Sequence, residues 1–531
     1  MLGDRHSQHS FAQIPNVNIG RSQFDRSFTV KDTFDFDYLV PFMVDEVLPG
    51  DTFNVSLNAF ARLATQKVPI MDNLYVDYFF FFVPNRLVFD NWEKMNGAQT
   101  DPDDSTDFIL PQITSPGVGG FTVGSIYDKM GLPTGIGSVV ISNTLPLRAY
   151  NLIWNEWFRD QNLQDSIDVP KDNGPDAVAD FNLLKRGKRH DYFTSCLPWP
   201  QKGDAVQLPL AGFAPVKGIG KGNQTWTATN INVYETDTGL TTYNPRQQIN
   251  AADGNEVVYL QKDPNSGNPY IRADLSEAIG PSINEFRQAI MMQSLLELDA
   301  RGGTRYVEIL RSHFGVVSPD FRLQRPEYLG GGEAKINVHP VAQTSATETN
   351  KPQANLASFA TMQVSGNRIG FSKSFVEHGY IIGLMCARAD ITYQQGMNRL
   401  WTRSTRYDFF WPKLQELGEQ AVLNKELYVQ GTSADDEVFG YQERYAEYRY
   451  KPSEIHGIFR STYSAPLDYW HMAEEFGSLP LLNDTFIEQS TPVDRAIAVT
   501  NEPHLLFDGW IKMKCARPML TYSVPATLGR F

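Results

Sequence analysis

The chain has 531 residues, above the usual ceiling of about 250–300 for one compact core, so more than one folded unit is expected. With 47 basic and 61 acidic side chains its formal net charge is −14, which excludes a surface given over as a whole to nucleic acid and leaves that role to a local basic patch. The three cysteines, Cys196, Cys386 and Cys515, make neither a zinc spacing nor a disulfide framework, and residues 1–15 lack the apolar core of a secretory signal; together these predict a protein made and kept in a reducing cytoplasm.

The first 31 residues are polar, with Arg5, Arg21, Arg26 and Lys31 set against Asp4 and Asp25. They read as an arm that is ordered only where a surface receives it. Apolar residues return from Phe34 to Val47, and Leu48–Asp51 is a turn. Thr52–Leu63 then alternates, with Phe53, Val55 and Leu57 on one side and Thr52, Asn54 and Ser56 on the other, as in a half-buried strand. The next segment, Asn73–Val83, is a strand closed by Pro84 and contains the core run Tyr78, Phe79, Phe80, Phe81 and Phe82. A period of two puts Val76, Tyr78, Phe80 and Phe82 on one face and Tyr75, Asp77, Phe79, Phe81 and Val83 on the other. Both faces are apolar, so the strand should lie central and covered on two sides. Burying its four phenylalanines contributes on the order of 6–12 kcal/mol, whereas exposure would invite aggregation.

Leu147–Asn162 carries Leu147, Tyr150, Ile153, Trp154, Trp157 and Phe158 at helical steps. Between residues 204 and 275 Gly, Thr, Asn and Asp dominate, marking a loop-rich insertion that projects from the main body. A second helix follows Pro281, with Ser282 and Glu285 spaced as a capping box and Gly302–Gly303 as its stop. A third is predicted from Pro412 through Leu423. The last third alternates short apolar runs with Pro and Gly and is strand-like. The expected division is an arm (1–31), a first β part with a helical insertion (32–203), the projecting insertion (204–275) and a second β part (276–531).

The sequence has no HExxH, paired CxxC, GxSxG or GxGxxG. In Gly218–Thr225 a Gly-Lys occurs, but Gly222 stands where a phosphate loop needs Ser or Thr. Cys196 near His190 and Asp191 suggests a nucleophile and base; the plainer reading is a buried thiol beside a Pro-rich turn. Neighbouring carboxylates such as Asp103–Asp104 and Glu474–Glu475 are expected by chance among so many acidic residues. The histidines, among them His313, His339, His456 and His471, show no metal spacing, and no cofactor or metal is expected. One cluster stands out: Lys185, Arg186, Lys188 and Arg189, followed by His190. Four cations this close can hold phosphates without sequence preference, or can bridge to acidic neighbours of their own chain.

The segments from Val40 to Gly97, Gly187 to Asp204, Ala300 to Gly332 and Val438 to Ser461 resemble the major capsid proteins of the Microviridae, most closely the gokushovirus branch. The resemblance covers residues 20–531 except the insertion. It implies a mainly β fold, a single viral jelly roll with eight antiparallel strands in two sheets and long loop and helical insertions. It also implies a structural protein with no catalytic activity, sixty copies of which form an icosahedral shell around circular single-stranded DNA. Packaged DNA, a small basic DNA-packaging protein, scaffolding and pilot proteins and a host surface receptor are the implied partners, with protrusions built by the insertion and no membrane insertion. On this reading Arg5, Arg21, Lys185, Arg186, Lys188 and Arg189 are the candidate DNA contacts, and the acidic excess faces outward. The competing reading is a carbohydrate-binding or glycoside-hydrolysing β-sandwich, which needs two carboxylates about 5–9.5 Å apart in an aromatic cleft.

Overall fold

The computed structural model describes residues 20–207, 282–303, 305–315, 324–344, 356–366 and 368–522, with short strands between 216 and 273. Two compact units emerge, Met1–Pro200 with Val316–Phe531, and Gln201–Gly315.

The main strands of the first unit are β1 (Ser22–Asp25), β2 (Phe28–Phe34), β3 (Val40–Val47), β4 (Thr52–Leu63), β5 (Leu74–Pro84), β6 (Glu327–Ala342), β7 (Leu356–Val364), β8 (Gly370–Ser374), β9 (Gly379–Ala389), β10 (Glu419–Leu423), β11 (Val438–Glu443) and β12 (Leu505–Arg517). Ten of them form one antiparallel sheet in the order β1-β12-β4-β7-β6-β5-β9-β3, with β2 following β1 along β12 and β8 following β7 along β4. In a flat sheet β12 and β3 would lie about 29 Å apart. Yet the rings of Phe42 on β3 and Phe507 on β12 are 6.4 Å apart, as are those of Tyr78 on β5 and Phe507. The sheet therefore curls on itself and encloses a core that includes Phe42, Phe53, Leu57, Tyr78, Phe80, Phe82, Ile336, Met385 and Ile511. This is a jelly-roll β-sandwich, with its two halves joined rather than separate. The joint is β6: Glu327–Ile336 pairs with β5 and Ile336–Ala342 with β7, so one long strand passes from one half to the other.

The close pairing at that corner depends on Gly330–Gly332. A Cβ on Gly331 would stand 2.1 Å from the Tyr78 carbonyl oxygen and 2.7 Å from the Tyr328 hydroxyl.

β5 is central, between β6 and β9, and both its faces are covered. Tyr78, Phe80 and Phe82 enter the enclosed core, while Phe81 and Val83 belong to a second cluster on the outer face, with Phe79 packed against it. Helix α1 (Leu145–Ile153) and the wider π-helical turn Trp154–Phe158 cover that outer face, and the chain turns extended at Arg159, short of the predicted Asn162. Phe158 meets Phe79 at 5.2 Å and Trp157 meets Phe81 at 5.5 Å, ring to ring. Part of the expected arm belongs to the sheet, since β1 and β2 both pair with β12.

The third predicted helix is absent. Pro412–Leu414 makes a single 3-10 turn, Gly418 breaks the path at φ 87°, and Glu419–Leu423 becomes β10, paired with β11. Gln420 and Val422 point inward there, so a period of two prevails over the helical propensity of Leu, Glu and Gln. In the second unit the capping box is present: α2 (Ile283–Arg301) starts with Ser282 Oγ accepting from Glu285 N at 3.2 Å, and Glu285 accepts from Ser282 N at 2.7 Å. Helix α3 (Tyr306–Phe314) follows, and Ile231–Glu235 pairs with Gly239–Tyr243 in a hairpin.

Truncating Phe80→Ala should cost about 3–5 kcal/mol in chemical denaturation of the dissociated subunit. Gly331→Ala should be clearly destabilising in the same assay, whereas Gly477→Ala, with nothing within 4 Å of the added methyl, should be close to neutral.

Candidate nucleic-acid interface

The basic cluster lies in an extended strap laid between two other segments. Leu39 N donates to Leu184 O and Arg186 N to Asp37 O, each at 2.9 Å; on the opposite edge Lys188 N donates to Ile487 O at 2.8 Å and Gln489 N to Arg186 O at 3.0 Å. Trp154 Nε1 and Lys185 O, 2.9 Å apart, tie the strap to the end of the helical cover.

Its cations turn mainly toward carboxylates of the same chain. Lys188 is buried, its Nζ 2.8 Å from Glu474 and 4.4 Å from the centre of the Phe486 ring. Arg186 is bonded to Asp77 and lies over Phe79 at 5.2 Å. Lys185 is partly exposed, 3.9 Å from Glu488 and over Tyr38 at 5.9 Å. Arg189 is the most open of the four and stands 3.6 Å from Glu333. Asp77 is shared with Arg388, whose Nε is 2.8 Å from it, and Arg388 also reaches Glu333 at 3.0 Å and Asp390 at 3.3 Å. The cluster is thus a structural ion network: Lys188 and Arg186 are committed inside, and only Arg189 and part of Lys185 face solvent. Arg21 is exposed near β1, donating to Thr52 Oγ1 and at 3.4 Å to Ala516 O. Arg5 lies outside the described residues, as does Gly222.

The catalytic readings fare differently from one another. Cys196 is buried, its thiol donating to Tyr192 O at 3.3 Å, and burial pushes its pKa well up, so it is a poor nucleophile. Burial likewise holds the Cys386 thiol up, at about 12. Glu474 is the partner of Lys188, and Asp104 accepts from Thr100 N and Asp101 N in a turn. A cleft of about 460 Å³ is lined by Tyr192, Tyr393, Trp401 and Tyr450 together with Glu426 and Glu447, the arrangement closest to a sugar site. Both carboxylates there serve Arg399, at 2.8 and 3.9 Å, and Glu447 also serves Arg403 at 3.2 Å. They act as counter-ions of arginines rather than as an acid and a nucleophile. Among the described residues no His/Cys/Asp/Glu group is arranged to hold a metal, and no helix is long and apolar enough to cross a membrane.

What sequence reasoning missed is a solvent-facing ridge around residues 400–411. Trp401 (75% exposed), Tyr407 and Phe409 stand open there, with the Arg406 guanidinium over Trp411 at 4.7 Å and Arg403 over Tyr448 at 4.2 Å. The run "LWTRSTRYDFFW" carried the signal, since aromatics interleaved with arginine typify protein interfaces.

Comparison with known proteins gives a consistent picture. Residues 12–527 match the family model described as capsid protein (F protein). The chain is 56% identical over 535 residues to capsid protein VP1 of Bdellovibrio phage phiMH2K, covering 100% of both chains. It is 42% identical over 594 residues to capsid protein VP1 of Chlamydia phage 1, covering 98% of this chain and 97% of that one. The match to capsid protein VP1 of Spiroplasma virus 4 is 37% over 541 residues, 97% of each.

Removing the partner of a buried charge should be costly. Lys188→Met strands Glu474 and should lose about 3–5 kcal/mol of stability, while Arg189→Met should stay within about 0.5 kcal/mol in the same denaturation experiment. A pH dependence follows as well. Burial raises the carboxyl pKa of Asp37, Asp72, Glu426 and Glu474. The folded state binds these protons more tightly than the unfolded chain, so their stabilising effect is complete below the ordinary value of about 4 and is lost as pH rises through the raised values. Asp104 and Asp408, lowered chiefly by backbone N–H donors, act oppositely, and only as pH falls through their depressed values. The thermal midpoint of the subunit should therefore rise as the pH is lowered from neutrality toward the ordinary carboxylate value of about 4. Asp72→Asn should flatten part of that rise; a midpoint falling steadily over the interval would contradict the assignment.

Proposed function

Because the chain belongs to the capsid protein (F protein) family, alongside gokushovirus-type Microviridae relatives, and is a structural virion component rather than an enzyme, we propose that sixty copies close into an icosahedral shell around circular single-stranded DNA. Self-assembly into a capsid comes with the family. The observation that carries the proposal for this chain is the ridge around residues 400–411. An isolated protomer leaves Trp401, Tyr407 and Phe409 in water, and a ridge of that composition is satisfied by the surface of a neighbouring copy.

The enclosed DNA must be reconciled with a net charge of −14 per copy. In this reading the acidic excess faces outward, and a small basic packaging protein supplements the basic groups inside. Scaffolding and pilot proteins assist assembly in the host cytoplasm, and the 204–275 insertion forms surface protrusions for host attachment. The carbohydrate-active alternative is not favoured, since the carboxylates of its best cleft are occupied by Arg399 and Arg403.

Single-particle electron microscopy of purified material, combined with its nucleic-acid-to-protein absorbance ratio, tests this directly. Uniform icosahedral shells with a high ratio are expected. Empty shells would shift DNA retention to a partner protein. Small monodisperse particles, even from infected cells with every partner present, would overturn the proposal.

A further inference from the structure

The curled sheet has two outer faces, and the chain treats them differently. The outer face of β5 and β9 is roofed by α1 and the π-helical turn. On the outer face of β4 and β12, Trp510 is 48% exposed and Phe60 49%, and Lys512, Lys514 and Arg62 are exposed as well. Resting on the reading of a shell around single-stranded DNA, we propose that this second face is where the strand lies, with phosphates on Lys512, Lys514 and Arg62 and bases against Trp510 and Phe60.

The placement follows from strand geometry. β12 alternates strictly: Phe507, Ile511, Met513 and Cys515 are buried in the core, so Trp510, Lys512 and Lys514 must share the other face, one pleat or about 6.8 Å apart. Across the sheet β4 adds Asn58 opposite Trp510, Phe60 opposite Asp508 and Arg62 opposite Leu506. Cations beside open aromatic rings are the general arrangement for holding single-stranded nucleic acid: the charges follow the backbone, and each base has a π-face to stack.

The charges on this face are available in a way those of the 185–189 strap are not. Among the described residues the side chains of Lys512, Lys514 and Arg62 make no hydrogen bond or ion pair. Two acids stand among them, and the first, Asp508, is already 3.1 Å from Lys31 on the neighbouring β2. The second, Asp25, opposite Lys514, accepts from Ser27 N and Oγ at 3.0 and 2.5 Å and feels Lys514 and Lys512 only through space, so three cations and Lys31 stand against two carboxylates. The face is therefore locally positive on a chain that is strongly negative overall. That sign disfavours a small basic protein as occupant, and the lysines disfavour a second copy, since lysine is depleted from interface cores. Phosphate fits.

The test uses the full chain and a fluorescently labelled oligothymidylate, followed by anisotropy across a salt series. Wild type should bind, with its tryptophan emission quenched. The triple variant Arg62→Gln/Lys512→Gln/Lys514→Gln should lower the slope of log K against log salt by about 2. Trp510→Ala should weaken binding about five- to a hundred-fold, whereas Trp510→Phe should retain most of it and lose the quenching. Lys185→Gln and Arg189→Gln should bind as wild type does. Equal binding and slope in the wild type and the triple variant would overturn the placement, as would failure of the wild-type chain to bind while its shells are filled with DNA. Wild-type shells that never form would instead sink the shell reading itself, and shells that form but bind no oligonucleotide and hold no nucleic acid would overturn the placement while shifting DNA retention to a partner protein. Should the triple variant fail to fold, the Trp510→Ala and Trp510→Phe pair decides alone: quenching that survives both excludes this face.

Discussion

The fold turns on one constraint: β5 and β9 carry apolar side chains on both faces. All eleven residues of β9 are buried, and β5 places Phe80 in the enclosed core and Phe81 outside it. An ordinary half-exposed sheet would leave the outer set in water, so the chain must supply a second layer. It does so between β5 and β6, with α1 and its π-helical turn. Fastening that layer requires polar anchors in a place water cannot reach. Arg148 of α1 is fully buried, and its guanidinium holds the Val88 carbonyl at 3.1 Å, the Asp172 carbonyl at 2.9 Å and the Asp176 carboxylate through Nε at 2.8 Å. Tyr150 OH donates to Leu39 O at 2.8 Å and accepts from Leu184 N at 3.0 Å, so the helix, the residue leading into β3 and the start of the basic strap meet at one hydroxyl.

The basic strap belongs to the same problem. Covering β5 and β9 buries Asp77 and Arg388, one on each strand and paired across the sheet. A lone buried carboxylate would be costly, but Asp77 has two guanidinium groups, from Arg388 and Arg186. Lys188 plays the complementary part for Glu474. Such pairs add little net stability over apolar substitutes of similar shape, yet each fixes which segment may cross where. The two inward cations of the run, Arg186 and Lys188, thus register the strap between residues 37–39 and 487–489.

How much of this was legible depends on sequence distance. The alternation of β4, the two-sided β5 and the Ser282–Glu285 cap are local patterns and appear where the sequence places them. The residues Pro412–Leu423 misled because Leu, Glu and Gln favour a helix locally, while pairing with β11, set by distant packing, decides otherwise. The strap could not be resolved from sequence: Arg186 meets Asp77 and Lys188 meets Glu474 across separations of 109 and 286 residues. The Lys512 and Lys514 pattern could have been read, since "LLFDGWIKMKCAR" alternates as cleanly as β4 does. Its lysines are spread at every second residue instead of clustered, and a search for basic runs passes over them.

That contrast separates two uses of positive charge in an acidic chain. Clustered cations on a crossing segment meet carboxylates from several directions, because a strap is surrounded by its own protein. Cations at alternate positions of a strand all project to one side, and with the other side filled by core, their partners can come only from that open face. On β12 the core side is closed by Phe507, Ile511 and Met513. Of the adjoining acids, Asp508 is answered by Lys31, and Asp25 is held by Ser27 while feeling Lys512 and Lys514 through space. The remaining charge therefore points away from the subunit's own interior, and strand periodicity predicts an external anion better than local charge density does.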